Sequence, residues 1–348
     1  MKILKKTKSS AVLPLPGFMA VGTFVVDYHK VVAHYPNERA STRVIREMMS
    51  NGGAPLNTLV NLAKLKVDFP LYAAAKVGQD LDGKLILECC RSNGIDTSQL
   101  NAIEDKSTGY TDVYTTESAG RHTCFHFCGI GDTFSRKDVK LRAVKPKMLF
   151  LGSLGALGKM DNYNPEYGRT GASQLIRNAR KQGITTVIEI APIDRPSKIE
   201  DYIETLAEAD YLIINDRLAE EMMGIELHTE GQFDYELARV AAQKLLDHGL
   251  RKAIFIRAGA AAICLDTEGN LSKQVGFLLP ASKRVGSAGI DHAFGAGLME
   301  GLYHDKPIDL CLKQGLAVAT LCRGDLTPSD GIPSLTECLD FCDQLRDA

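Results

Sequence analysis

A run late in the chain, Val285-Gly286-Ser287-Ala288-Gly289-Ile290-Asp291-His292-Ala293-Phe294-Gly295-Ala296-Gly297, joins a flexible turn to a helix start. The first N–H groups of a helix lack partners, and the helix dipole adds partial positive charge. Gly289 and Ile290 should therefore open an anion-binding mouth, and phosphate is the anion it suits. Two residues beside it could move a proton. His292 should stay neutral, because a helix amino terminus disfavours the imidazolium. Asp291 is the other, and its carboxylate is also placed to cap the free amides, in competition with a phosphate.

A second constellation is Gly52-Gly53-Ala54-Pro55-Leu56-Asn57, just before a predicted helix. Paired glycines let a ligand approach the backbone, Pro55 suits a first helical turn, and Asn57 offers both a donor and an acceptor. That is equipment for grasping a polyol. Gly22 to Asp27 reads as a strand ending in a carboxylate, which can accept bonds from sugar hydroxyls. His122, Cys124, His126 and Cys128 recur every second residue and invite a zinc reading. Residues two apart in a strand stand nearly 7 Å apart, so one ion could reach at most two of them. The better reading is a strand with small polar residues on one face and Phe125 and Phe127 on the other; no metal site is assigned.

These residues need a scaffold, and the chain alternates short apolar runs with amphipathic helices. Strands are predicted at Met19 to Val26, Leu71 to Val77, Met148 to Leu151, Ile184 to Ile190, Tyr211 to Ile214 and Ala253 to Ile256. Helices are predicted at Pro55 to Lys66, Asp80 to Asn93, Ala172 to Lys181 and Tyr235 to His248, and the chain from His292 onward is mainly helical. That rhythm implies an α/β fold with a mostly parallel sheet covered on both faces. Segments of about 28–50 and 108–128 break the rhythm with polar–apolar alternation. They read as antiparallel strands forming a lid over the ends of the core strands, where open α/β sheets bind ligands. The organisation is then an extension over 1–16 followed by an α/β domain over 17–348.

The chain has 348 residues, of which 45% are hydrophobic and 24% charged, as in ordinary soluble proteins. A net charge of −2 gives no reason to expect a nucleic acid or an anionic membrane as partner. Nine cysteines without a disulfide-like spacing suggest reduced thiols and a cytoplasmic location. Lys2, Lys5, Lys6 and Lys8 precede an uncharged stretch, as in a signal peptide. Pro14 and Pro16 break it, and cleavage near Gly22 would remove the first predicted strand. Exposed edge strands in the lid could pair with a second copy as a homodimer.

Taken in order, these motifs resemble the ribokinase-like, or phosphofructokinase-B type, carbohydrate kinases from about Gly17 onward. Gly22 through Asp27 is similar to the opening strand with its sugar-binding Asp, and Asn51 through Leu65 to the first signature. Lys76-Val77-Gly78-Gln79-Asp80 and Gly83 follow at the matching distance. Thr108-Gly109, Gly120-Arg121 and Gly129-Ile130-Gly131-Asp132 resemble the lid and the turn after it, and Asn215 the Asn of an Asn-x-x-Glu motif. The resemblance implies a helix-flanked sheet, a β lid over a small sugar or polyol, and transfer of the ATP γ-phosphoryl group with Mg2+. It implies that Gly289 and Ile290 hold phosphate and that Asn215, Arg257 and Gly259 belong to the nucleotide side. The pattern departs at defined places. His292 stands at the catalytic Asp, Asp291 at the second Gly of the anion hole, Leu218 at the Glu associated with magnesium, and Arg257 at a Thr. A weak Asp-x-Asn-x-Arg likeness runs from Glu189 to Arg195 without an assignable match. Two readings follow: a kinase with His292 or Asp291 as an unorthodox base, or a catalytically silent relative that binds a sugar or nucleotide as a sensor.

Overall fold

The computed structural model describes residues 16–116, 122–191 and 198–346, so most of the amino-terminal extension, Gly120-Arg121 and Arg195 lie outside the described residues. Nine described strands form one sheet. Its order is Leu271–Val275, Ala261–Asp266, Ala253–Ala258, Tyr211–Asn215, Thr185–Ile190, Met148–Leu154, Phe18–Val21, Leu71–Gly78 and Asp96–Ile103. From Ala253–Ala258 to Asp96–Ile103 neighbouring strands run parallel, and the two beyond are antiparallel. Phe18–Val21 is apolar throughout and fully buried, as a central parallel strand covered on both faces must be. One apolar cluster packs the first helix, Ala54–Lys64, and the late helices Ile290–Tyr303 and Ile308–Cys322 against one face. The other packs Gly171–Arg180 and Tyr235–Leu246 against the opposite face.

The strand predicted from Met19 to Val26 is two strands. The chain leaves the core sheet at Gly22, where φ is 145° and a Cβ would fall 2.7 Å from the Gly152 carbonyl oxygen. Pairing resumes in the lid as Val25–Val32. Asp27 is therefore inside a lid strand, not at the end of a core strand. The predicted lid exists as four strands ordered Val44–Gly52, Val25–Val32, Gly109–Thr116 and His122–Phe127. Its two outer pairings are antiparallel as expected, but the central pair, Val25–Val32 with Gly109–Thr116, is parallel. Each half of the lid is a hairpin, and both first strands run the same way, so their junction cannot be antiparallel. Phe125 and Phe127 lie exposed on the lid's outward face, as the alternation predicts.

Asp96–Ile103, Ala261–Asp266 and Leu271–Val275 are strands the sequence pattern did not reveal. The first and last lie at sheet edges and expose much of their length, so neither a clean alternation nor an apolar run marks them. No helix among the described residues is long and apolar enough to cross a membrane.

Candidate active site

The late helix Ile290–Tyr303 starts at Gly289, whose φ of 73° and ψ of 3° are left-handed. A Cβ there would also run into Pro328, so two constraints ask for glycine. The turn before it is tied down by the Val285 N–H, which donates to the Arg323 carbonyl at 2.8 Å. No side chain among the described residues caps the helix start. Asp291 was expected to do so and does not. Its Oδ1 accepts from Arg257 Nε at 2.6 Å and lies 2.5 Å from Arg257 Nη2, while Oδ2 accepts from Asn215 Nδ2 at 3.1 Å. A guanidinium fork outcompetes neutral amides for a carboxylate. Burial works to raise the Asp291 carboxyl. The Arg257 charge and hydrogen bond, aided by Asn215 and His292, hold it below its ordinary value.

His292, one residue on, has different partners. Asn57 Nδ2 donates to its Nδ1 at 3.2 Å, and its Nε2 lies 3.5 Å from Glu189 Oε1. The direction of the first bond follows from Asn57 Oδ1, which accepts from Asn51 Nδ2 at 2.7 Å. Asn51 also donates to Ser329 Oγ at 3.0 Å. A polar chain thus runs from the end of a lid strand, across the first helix, to the late helix and a core strand. Burial lowers the His292 pKa, with Asp291 opposing, so the ring is neutral near pH 7. Burial, reinforced by Asp291, pushes Glu189 up to about 8. Asn51, Glu189 and Ser329 were not singled out from sequence. Asn51 is carried by the signature it begins, Glu189 begins only the weak Asp-x-Asn-x-Arg likeness, and Ser329 has no local motif.

Asp27 lies at the lid end of this cleft. A Cβ at Gly52 would run into its carboxylate, so that glycine makes the room Asp27 occupies. Gly53 follows with φ 82° and caps the first helix, where Asn57 sits two residues after Pro55. Burial pushes Asp27 up to about 7, against a lowering hydrogen bond from Thr111. His29, on the same face of the strand, is within 2.9 Å of Ser50 Oγ and is lowered to about 4, chiefly by burial. His122 Nδ1 reaches Ser287 Oγ at 2.8 Å, so the lid touches the turn before the late helix. His126 instead contacts Thr111 at 2.9 Å. No three His, Cys, Asp or Glu side chains among the described residues are grouped to hold a metal ion.

Glu189, Asn215 and Arg257 share a cause for their position. Each sits at or next to the carboxyl end of one of three neighbouring parallel strands, where α/β sheets gather ligands. Asn215 has two tasks: its Oδ1 accepts from the Leu218 N–H at 2.9 Å, capping the next helix, while its amide holds Asp291. Arg257 Nη1 donates to the Gly259 carbonyl at 3.0 Å. Beyond Gly259 a hollow of about 90 Å³ lies among Phe277, Leu279, Leu316 and Arg323. The residues do not fit the magnesium that the resemblance implies. Leu218 is apolar and buried, and both Asp291 oxygens are engaged by Arg257 and Asn215.

The sequence model of the pfkB family carbohydrate kinases matches residues 18–335. A 5-dehydro-2-deoxygluconokinase of Geobacillus kaustophilus is 26% identical over 337 residues, covering 94% of each chain. A ribokinase of Arabidopsis thaliana is 22% identical over 340 residues, covering 96% of this chain and 82% of that protein. Among solved structures, Arabidopsis thaliana ribokinase complexed with ribose and ATP aligns with a TM-score of 0.75 at 20% identity, covering 94% of this chain and 98% of that one. Ribokinase from Giardia lamblia aligns with a TM-score of 0.76 at 18% identity, covering 94% and 99%. These structural likenesses establish the ribokinase-like fold, and the match over residues 18–335 establishes more: the chain belongs to the pfkB family of carbohydrate kinases.

Proposed function

We propose that this protein transfers the γ-phosphoryl group of ATP to a hydroxyl of a small sugar or related polyol. The acceptor lies between Asp27, Gly52-Gly53 and Asn57. The phosphates meet the main chain at Gly289 and Ile290, beside Arg257, and the adenine enters the hollow beyond Gly259. Phosphoryl transfer depends mainly on positioning and on stabilising charge. Helix amides and a fixed guanidinium supply both.

One observation carries this reading over a catalytically silent one: the Asp291 carboxylate is bound by Arg257 and Asn215 and leaves the helix mouth uncapped. The residue that would have repelled phosphate instead anchors a cation beside it. His292 then has the base's place, between the acceptor side, through Asn57, and the helix mouth.

The test is ATP consumption by the purified full chain with D-ribose, D-fructose, 5-dehydro-2-deoxygluconate and inosine. Turnover is expected with at least one acceptor. Saturable sugar binding by calorimetry, with no ADP formed from any acceptor, would instead make the protein a silent binder.

A further inference from the structure

We propose that Glu189 and His292 form a proton-accepting dyad, in which His292 takes the acceptor's hydroxyl proton and Glu189 positions and steadies the ring. The inference rests on the kinase reading above.

The geometry distinguishes the two candidate bases. Both Asp291 oxygens are turned to Arg257 and Asn215, on the nucleotide side. His292 faces Asn57 with one nitrogen and Glu189 with the other. Because Asn57 donates into Nδ1, the ring proton sits on Nε2, the nitrogen 3.5 Å from Glu189 Oε1. A carboxyl behind one ring nitrogen fixes which nitrogen carries the lone pair and stabilises the imidazolium that forms. Here the lone pair is aimed at the acceptor side of the cleft, where a hydroxyl would exchange with the Asn57 amide.

Glu189 is otherwise hard to explain. It is 9% exposed at the end of a core strand, and its polar contact among the described residues is His292. Buried carboxyls are costly unless paired or protonated. Among the described residues, the charged groups facing the pair are Asp291, from the same helix turn as His292, and Arg257 behind it, two strands away in the sheet. The first helix contributes the uncharged Asn57.

The step balances with a dyad that starts as neutral His292 and ionised Glu189, carrying one negative charge. The acceptor oxygen forms its bond to the γ-phosphorus, and the bond from that phosphorus to the bridging oxygen breaks, its electron pair leaving with ADP. The hydroxyl proton moves to Nδ1, and Nε2–H stays on the ring, on the Glu189 side. The dyad ends neutral. Glu189 must be ionised for this, and burial with Asp291 pushes its pKa up to about 8, so the competent form grows with pH.

The experiment measures kcat and acceptor KM from pH 6 to 9.5, using ATP and the acceptor of the panel above that turns over fastest. Wild type should show kcat/KM rising to a plateau above about pH 8. Glu189→Gln should lose roughly 10- to 100-fold in kcat with little change in KM, and should lose the rising limb. His292→Asp installs a carboxylate that needs no partner, so adding Glu189→Gln to it should cost less than about threefold. Thermal melts of each variant control for folding. A Glu189→Gln enzyme that keeps both kcat and the limb overturns the dyad, as does an equally large loss from Glu189→Gln in the His292→Asp background. Absence of turnover by wild type with every acceptor overturns the kinase reading itself, and the dyad with it.

Discussion

The lid end and the helix-mouth end of the cleft are built by opposite means. At the lid end, burial displaces ionisable side chains toward their neutral forms: Asp27 is pushed up to about 7 and His29 down to about 4. At the helix mouth the partly exposed Asp291 is held charged by Arg257, while burial keeps its neighbour His292 neutral. The lid end relies on close side-chain fit, since Gly52 makes the space that Asp27 fills. On the proposed reading the helix mouth binds through main-chain donors, whose direction is set by the turn and not by side-chain identity. Side chains at an amide-built anion site can therefore change while the site survives, provided no new carboxylate turns into it. This explains how family-like residues at Asp27, Gly52, Gly53 and Asn57 coexist with Asp291, His292, Leu218 and Arg257.

The sharpest way to break that contrast is to add one methyl group at the lid end. Gly53→Ala forces a side chain into a left-handed backbone at φ 82° and against the Thr23 carbonyl. Gly52→Ala drives a methyl into the Asp27 carboxylate. We expect Gly53→Ala to lose about 2–4 kcal/mol by urea melts, from the two mechanisms together. Gly52→Ala should abolish acceptor binding with a smaller stability loss. A Gly53→Ala protein as stable as wild type would show that fit is not what holds this end together.

How much of this was legible in the sequence depends on the kind of signal. The alternating core was readable because parallel strands buried on both faces are apolar along their length, as in Phe18–Val21. The break at Gly22 was not, because Phe24, Val25 and Val26 continue the apolar run after the chain has left the sheet. Asn57 and His292 were each readable from a local motif, but their contact spans 235 positions and only the fold reveals it. Glu189 shows the limit more plainly. It sits in an apolar strand as one acidic residue that begins only a weak motif likeness, and its neighbour His292 lies on a distant helix. Asp291 was misjudged for a related reason. Its position fits a helix cap, and nothing local announces that Arg257, on another strand, will claim it.

A milder perturbation sharpens the comparison at the helix mouth. Arg257→Met leaves the Asp291 carboxylate without its cation, free to turn toward the helix amides and repel phosphate. ADP affinity by calorimetry should fall about 10- to 100-fold, or roughly 1.4–2.8 kcal/mol. Adding Asp291→Asn removes the repelling charge and should recover the part of that loss due to repulsion, leaving the part due to the guanidinium's own contact, a non-additivity that reports direct coupling. If the double variant binds as weakly as Arg257→Met alone, Arg257 acts on the nucleotide directly and Asp291 is only its anchor.

The smallest effect concerns charge at the lid end, and its sign can be worked out group by group. His29 has its pKa lowered from 6.5 to about 4 by burial, with His122 adding and Asp325 and Asp330 opposing. Between those values the unfolded chain takes up a proton that the folded chain refuses. Stability should therefore fall as pH drops from 6.5 toward 4, by up to about 1.4 kcal/mol per pH unit from this group. Asp27 acts in the other direction. Its pKa is raised from 3.8 to about 7, so the folded chain keeps a proton that the unfolded chain releases, and stability falls as pH rises through that range. Urea melts at half-unit steps from pH 4 to 8 separate the two. The two windows overlap with opposite signs, so the wild-type profile should be nearly flat between pH 4 and 6.5; His29→Gln should leave stability falling as pH rises, and Asp27→Asn should leave it rising, because neither replacement titrates. Asp291, whose pKa is lowered, should matter only in stronger acid, below 3.8, so Asp291→Asn should leave the pH 4 to 8 profile nearly unchanged. A profile that moves with Asp291→Asn and not with His29→Gln would mean that the charge cost lies at the helix mouth, and the division between the two ends would have to be redrawn.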